Sequence, residues 1–325
     1  MKRDFLTLSD LTTDELVALM RRTKLLKEAR SQRRLMRTLR GRTLVLIFEK
    51  ASTRTRLSFE AAMTQLGGHC IVLPPTDSQM NRGEPLEDTA RVTSRYSDCI
   101  VMRTFADQRL RQFAGAATVP VINGLTDGGH PVQLLADLFT IEERLGAIAG
   151  RTVAFIGDTA SNMGRSYCEA AKLFGFTLKI ASPEGYRPGA DVMNTNVQIV
   201  DSPQRAVAGA EVVVTDVWTS MGQEAEKEAR LKAFRGYCVD EALMALAAKQ
   251  AIVLHCLPAH RGEEISAAVI DGPQSAAWDE AENRLHVQKA LLETLVLETE
   301  KAAGITAGRV DDEMGLDARP SSPTG

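Results

Sequence analysis

The sequence predicts an α/β protein of two domains, each a mostly parallel sheet flanked by helices. Three observations carry this. Short apolar runs of strand length at 44–48, 70–73, 99–102 and 119–122 alternate with longer amphipathic stretches, the rhythm of β–α units whose strands run parallel. The rhythm restarts after residues 146–150 with RTVAFIGD, SNMGRSYCEAAKLFG and TLKIAS. A chain of 325 residues is also long enough for two cores of ordinary size. The expected division is 1–145 and 150–284, with a helix at about 285–303 and a polar tail at 304–325.

Taken in order, residues 5–40 read as helix, with Leu8, Leu11, Leu16 and Leu19 on the apolar side and arginines on the other. That basic run is expected to be a solvated face, since acidic residues elsewhere cancel its charge. Run 44–48 is continuous enough for a buried parallel strand. Ser52 then caps a helix with apolar spacing at Leu57, Ala61 and Leu66, and Gly67-Gly68 stops it. After strand 70–73 comes a loop rich in Pro, Asp and Gly, followed by a helix over 86–96. Strand 99–102 ends in Arg103-Thr104, and strand 119–122 ends in NGLTDGGHPVQ. Pro131 opens one amphipathic helix over 131–145.

The second half is Rossmann-like in rhythm but lacks G-x-G-x-x-G, and its second strand ends in Ser182 where a dinucleotide site needs an acidic residue. NAD is therefore not expected. Later strands fall at 212–216 and 252–255, and a long helix at about 282–303. The tail, rich in Gly, Pro and Ser, reads as disordered. No internal repeat is evident.

Composition bounds the function. Hydrophobic residues at 44% and charged residues at 25% describe a soluble globular chain, and a net charge of −3 gives no reason to expect nucleic acid or a membrane as partner. Five scattered cysteines without a C-x-x-C pair suit reduced thiols rather than a disulfide framework or a zinc site. The N-terminus has no apolar h-region and no run approaches bilayer length, so a cytoplasmic location is expected.

Chemistry concentrates where strands meet helices. A helix starting at residue 52 presents free N–H groups and a positive dipole end, with the hydroxyls of Ser52, Thr53 and Thr55 and the guanidinium fork of Arg54 added. This is an anion cradle. Arg54, Arg103 and His130 all lie just past strand carboxyl ends, where parallel sheets place their sites.

Ser-Thr-Arg-Thr-Arg directly after a buried strand resembles the carbamoyl-phosphate motif of the aspartate/ornithine carbamoyltransferase family. The likeness continues at Arg103 and His130-Pro-Val-Gln133, which the family uses on the carbamoyl carbonyl and amide. Arg284, in AENRLH, resembles a further anion-binding arginine. Gln79, in DSQMNRGEP, resembles a residue lent by a neighbouring subunit, which implies a homotrimer or a multiple of one. Asn81 departs from an expected glycine.

In the second half, DVWTSMGQE (Asp216, Ser220, Met221), Asn162 in GDTASNMG and His255-Cys256-Leu257-Pro258 resemble the ornithine-selecting pattern. The resemblance runs from about residue 4 to 303. It implies two domains joined by interdomain helices, the first binding carbamoyl phosphate and regaining the last helix, the second binding L-ornithine. The products would be L-citrulline and phosphate. Residues 52–55, Gln79, Arg103, His130, Gln133 and Arg284 would hold carbamoyl phosphate; Asn162, Asp216, Ser220, Met221, Cys256 and Leu257 would hold ornithine. Arg103, His130, Thr55 and Cys256 would act on the reacting atoms, and no metal or organic cofactor is implied. Other acceptors (aspartate, putrescine, an acylated ornithine) remain open. A dehydrogenase is opposed by the missing glycine fingerprint, a non-catalytic binder by the full polar set.

Overall fold

A computed structural model describes residues 2–74, 80, 83–219 and 224–305. The expected tail lies almost wholly outside them. The first half contains α1 (Thr13–Ser31), β1 (Thr43–Phe48), α2 (Thr53–Gln65), β2 (His69–Leu73), α3 (Leu86–Thr93), β3 (Cys99–Arg103), α4 (Asp107–Ala116), β4 (Val121–Leu125) and α5 (Pro131–Leu145). Its four strands are all parallel, in the order β2-β1-β3-β4.

The second half contains β5 (Thr152–Ile156), α6 (Asn162–Phe174), β6 (Thr177–Ala181), β7 (Val197–Ile199), α7 (Pro203–Val207), β8 (Val212–Thr215), α8 (Lys227–Ala233), α9 (Glu241–Met244), β9 (Ile252–Leu254) and α10 (Ala267–Ile270). Its five strands are also parallel, in the order β7-β6-β5-β8-β9. The last described helix, α11 (Ala277–Ala302), returns to the first half and packs on α1, α2 and α5.

Alternation along β1 explains the layering. Leu44, Leu46 and Phe48 enter the core shared with α1, α5 and α11, whereas Val45 and Ile47 face α3 and α4. The first of these cores also takes in Val153, Phe155 and Tyr167, so apolar packing is continuous from one sheet to the other through α5, α6 and α11. No described helix is long and apolar enough to cross a membrane.

Several expected boundaries move. The helix expected over 5–40 is a single turn at Leu8–Asp10 followed by α1. It ends because Arg33 turns left-handed (φ 55°) and Arg34 N–H bonds back to Ala29 O. Arg34, Arg37 and Arg40 lie outside any helix, although all four leucines of the apolar side are buried as expected. Strand 119–122 is shifted to Val121–Leu125. Pro120 has no N–H to offer, and Asn123, which reads as a turn residue, continues the strand by bonding to Phe5 O and Leu6 O. The last helix starts at Ala277, five residues before 282. Helix α4 and the short elements β7 and α7–α10 were not legible in the sequence.

Candidate active site

A cleft of about 1270 Å³ lies between the carboxyl ends of the two sheets. On its first wall, Ser52 caps α2 by accepting the Thr55 N–H (3.3 Å), which directs the helix's free N–H groups into the cleft. Arg54, on the first turn, spans to the far wall and donates to Leu257 O (2.5 Å). Thr55 is buried, and its hydroxyl accepts from Arg284 of α11 (2.6 Å), leaving its own hydrogen free to donate.

Arg103 ends β3 at a register shift against β4. Its Nε, like that of Arg284, is buried without a hydrogen-bond partner among the described residues. Burial pushes both guanidinium groups down to about 10, so each stays charged near neutrality. His130 occupies the N-cap of α5, but its side chain makes no capping bond. Its backbone N–H goes to Ser166 Oγ (2.9 Å), and its Nδ1 has no partner among the described residues. Burial, then Arg284, Arg103 and Arg54, holds the ring well below its usual range, hence neutral.

Gln133, one turn into α5, faces the same cleft. Its NH2 donates to Asp137 (2.8 Å) and Glu280 (2.7 Å), and its Oε1 is buried without a partner among the described residues.

The opposite wall comes from the second sheet. Asn162 opens α6 and donates to Thr126 O (3.1 Å), tying the two halves together. Asp216 follows β8 and Cys256 follows β9, adjacent strands, so their side chains meet at 3.1 Å. Burial and the Asp216 carboxylate push the Cys256 thiol well up, so it stays S–H and is no nucleophile. Leu257 has a left-handed backbone (φ 57°) and precedes a cis bond to Pro258. His255 points away from the cleft: Nδ1 accepts the Leu257 N–H (2.9 Å), so Nε2 carries the hydrogen that goes to buried Glu264 (2.9 Å). It shapes the loop.

All of Ser52, Thr53, Arg54, Thr55, Arg103, His130, Gln133, Arg284, Asn162, Asp216, Cys256 and Leu257 line this one cleft. Gln79, Ser220 and Met221 lie outside the described residues.

Sequence reading missed the Asp158–Arg230 ion pair (2.7 Å), buried on the second wall, where Arg230 also donates to Trp218 O. Asp158 was visible at a strand end in GDTASNMG, but its partner is 72 residues away. Lys50, paired with Asp127 (2.5 Å) at the mouth, was also missed.

Donor atoms of Asp216, His255 and Cys256 converge within 4.8 Å. Both His255 nitrogens are already bonded, and the thiol serves Asp216, so the set is arranged for hydrogen bonding rather than as open metal ligands. His260 sits at the rim, with Nδ1 3.5 Å from Glu263 and 4.0 Å from Glu264.

Residues 3–143 match the carbamoyl-P binding domain of the aspartate/ornithine carbamoyltransferase family, and residues 149–295 match its Asp/Orn binding domain. The chain is 56% identical over 298 residues to an ornithine carbamoyltransferase of Halorhodospira halophila, covering 91% of this chain and 99% of that one. It is 54% identical over 297 residues to an ornithine carbamoyltransferase of Pseudomonas aeruginosa named as anabolic, covering 90% and 97%. Among solved structures, the ornithine carbamoyltransferase of Pyrococcus furiosus superposes with a TM-score of 0.87 at 45% identity, covering 91% of this chain and 97% of that one.

Proposed function

The chain belongs to the aspartate/ornithine carbamoyltransferase family, and from that premise we propose that it moves the carbamoyl group of carbamoyl phosphate to the δ-amine of L-ornithine, giving L-citrulline and phosphate. One observation carries the reading: Arg103, His130, Gln133 and Arg284 line one cleft, and buried nitrogens of the first, second and last and the buried Oε1 of Gln133 have no partner among the described residues. Buried polar groups normally find partners, so such a set marks the outline of a polar ligand. Three nitrogens and one amide oxygen fit an oxyanion with a carbonyl and an NH2 beside it.

Phosphate oxygens sit on the N–H groups of α2, with Ser52, Thr53, Arg54 and Arg284 around them. The carbamoyl oxygen faces Arg103, His130 and the Thr55 hydroxyl, and the carbamoyl NH2 donates to Gln133 Oε1. Asp216 pairs with the α-ammonium of ornithine, Asn162 and Ser220 bond its amino-acid head, and the loop at Cys256-Leu257 guides the side chain. Its neutral δ-amine attacks the carbonyl carbon. As the C–N bond forms, negative charge gathers on oxygen beside Arg103, His130 and Thr55, which meet it more strongly than the planar ground state. The C–O bond then breaks, phosphate leaves into the cradle, and the proton of the attacking nitrogen is lost with it or to solvent. Neutral His130 acts here as a polar partner without adding a proton of its own.

We also infer from the family likeness that Gln79 of a neighbouring subunit completes the site in a homotrimer, that 1–145 with 285–303 and 150–284 are the two substrate domains, and that the enzyme works in the cytoplasm. A colorimetric citrulline assay tests the reaction, run against aspartate, putrescine and N-acylated ornithine as competing acceptors. Carbamoylation of one of these in preference to ornithine would overturn the acceptor.

A further inference from the structure

Behind the cleft, Gln133 is held in an unusual way. Both hydrogens of its NH2 go to carboxyl oxygens, Asp137 Oδ1 at 2.8 Å and Glu280 Oε1 at 2.7 Å. All three side chains are buried, at 1% exposure each, and neither acid has an ion-pair partner among the described residues. The remaining oxygens are used as well: Tyr167 of α6 donates to Asp137 Oδ2 (2.7 Å) and the His255 N–H donates to Glu280 Oε2 (2.8 Å). Four segments, α5, α6, α11 and the end of β9, thus meet at one amide.

An amide side chain is symmetric in shape, and nothing in its packing fixes which end faces a ligand. Two acceptors behind it do, because turning the amide over would put its oxygen against two carboxyl oxygens. Gln133 lines the cleft, and its Oε1, on the side away from the two acids, is buried without a partner among the described residues.

We propose that Asp137 and Glu280 are positioning residues for the reaction: together they clamp the Gln133 amide so that its oxygen, and not its NH2, meets the carbamoyl nitrogen. This rests on the carbamoyl-phosphate reading of the cleft and adds what selects the carbamoyl NH2. Arg284, Tyr167 and Cys256 are the ionisable groups facing the pair. Burial, then the neighbouring Asp137, pushes the Glu280 carboxyl well above the usual carboxylate range.

The test is a double-mutant cycle. Asp137→Asn and Glu280→Gln each replace an acceptor oxygen by a donor NH2 at constant size, freeing the amide to turn. Each should lower kcat/KM for carbamoyl phosphate about ten- to a hundredfold, the cost of one lost or reversed bond to the substrate. Inhibition by inorganic phosphate should stay within about twofold, because phosphate binds at α2. In a Gln133→Ala background the same changes should cost almost nothing further. Tyr167→Phe, which leaves both acceptors to Gln133, should keep kcat/KM near wild type.

The cycle is run on both acids, so that one variant failing to fold leaves the other. Additive losses, or phosphate affinity falling in step with kcat/KM, would assign the acids a merely structural role and overturn the clamp alone. Wild type that forms no citrulline overturns the site reading and the clamp together.

Discussion

The Cys256 thiol donates to Asp216 Oδ1 across 3.1 Å, joining the ends of two adjacent strands. The Val217 N–H reaches the same oxygen (2.8 Å), so the carboxylate is fixed in the wall of the cleft before any substrate amine meets it. Asp216→Asn keeps this shape and removes the charge. It should raise KM for ornithine about tenfold or more, one charge-assisted bond being worth about 1.5–3 kcal/mol, and leave carbamoyl-phosphate binding nearly intact. Separate titrations of the two substrates check this; equal losses would make Asp216 structural.

Arg54 is expected to hold phosphate as a fork. Arg54→Lys keeps the charge and loses the paired geometry, so kcat/KM for carbamoyl phosphate should fall by about two orders of magnitude or more. A variant with near-normal kinetics would remove Arg54 from the site.

The attacking amine must be neutral, and its unperturbed pKa is near that of lysine, about 10.4. Burial and three arginines keep His130 uncharged, and burial holds the Cys256 thiol protonated, so neither group masks the amine between pH 7 and 9. At sub-saturating ornithine kcat/KM should climb close to tenfold per pH unit over that range. A flat profile there would place the limiting step elsewhere.

Stability should carry the mark of Asp137. Burial raises its folded pKa to about 6 from a reference of 3.8. An acid raised on folding favours the fold fully below its unfolded pKa, and that contribution is lost as pH rises through the folded pKa. Asp137→Asn abolishes the titration, so Tm of the variant minus wild type should be more positive at about pH 7.5 than at about pH 4.5. A difference that does not vary with pH would show that Asp137 does not titrate in the fold.

The expected shared site can be tested by complementation. Gln79→Ala and Arg103→Ala are each expected to be nearly inactive, yet a mixed trimer contains sites built from an unmutated Arg103 and an unmutated Gln79. Random assembly makes about a quarter of sites native, so activity should rise to about that share of wild type. Hybrids proven by tagged pull-down that stay as inactive as their parents would rule out a shared site.

What was legible in the sequence was local. The bounds of α5 match expectation because Pro131 opens the helix and Gly146 ends it with φ 78°, two signals that need no tertiary context. The 52–55 cradle was readable for the same reason, as a strand, a cap and a helix in succession. Asp158 and Arg230, or Gln133 and Glu280, became partners only by folding, across 72 and 147 residues. Arg33 shows the opposite failure: its helical neighbours promised continuation, and a backbone bond from Arg34 to Ala29 decided otherwise.

Helix α11 sets a timetable for the nascent chain. It covers α1, α2 and α5 and lends Arg284 to the cradle on α2, yet among the described helices it is the last to be synthesised. Buried leucines such as Leu291, Leu292 and Leu295 each contribute roughly 2 kcal/mol to that contact. Until they emerge, the first half waits with an open apolar groove, unlike the usual order in which an N-terminal domain completes itself during translation. A ribosome stalled before residue 277 should therefore hold a first half that protease digests readily, with protection expected only once residues 277–302 have been released.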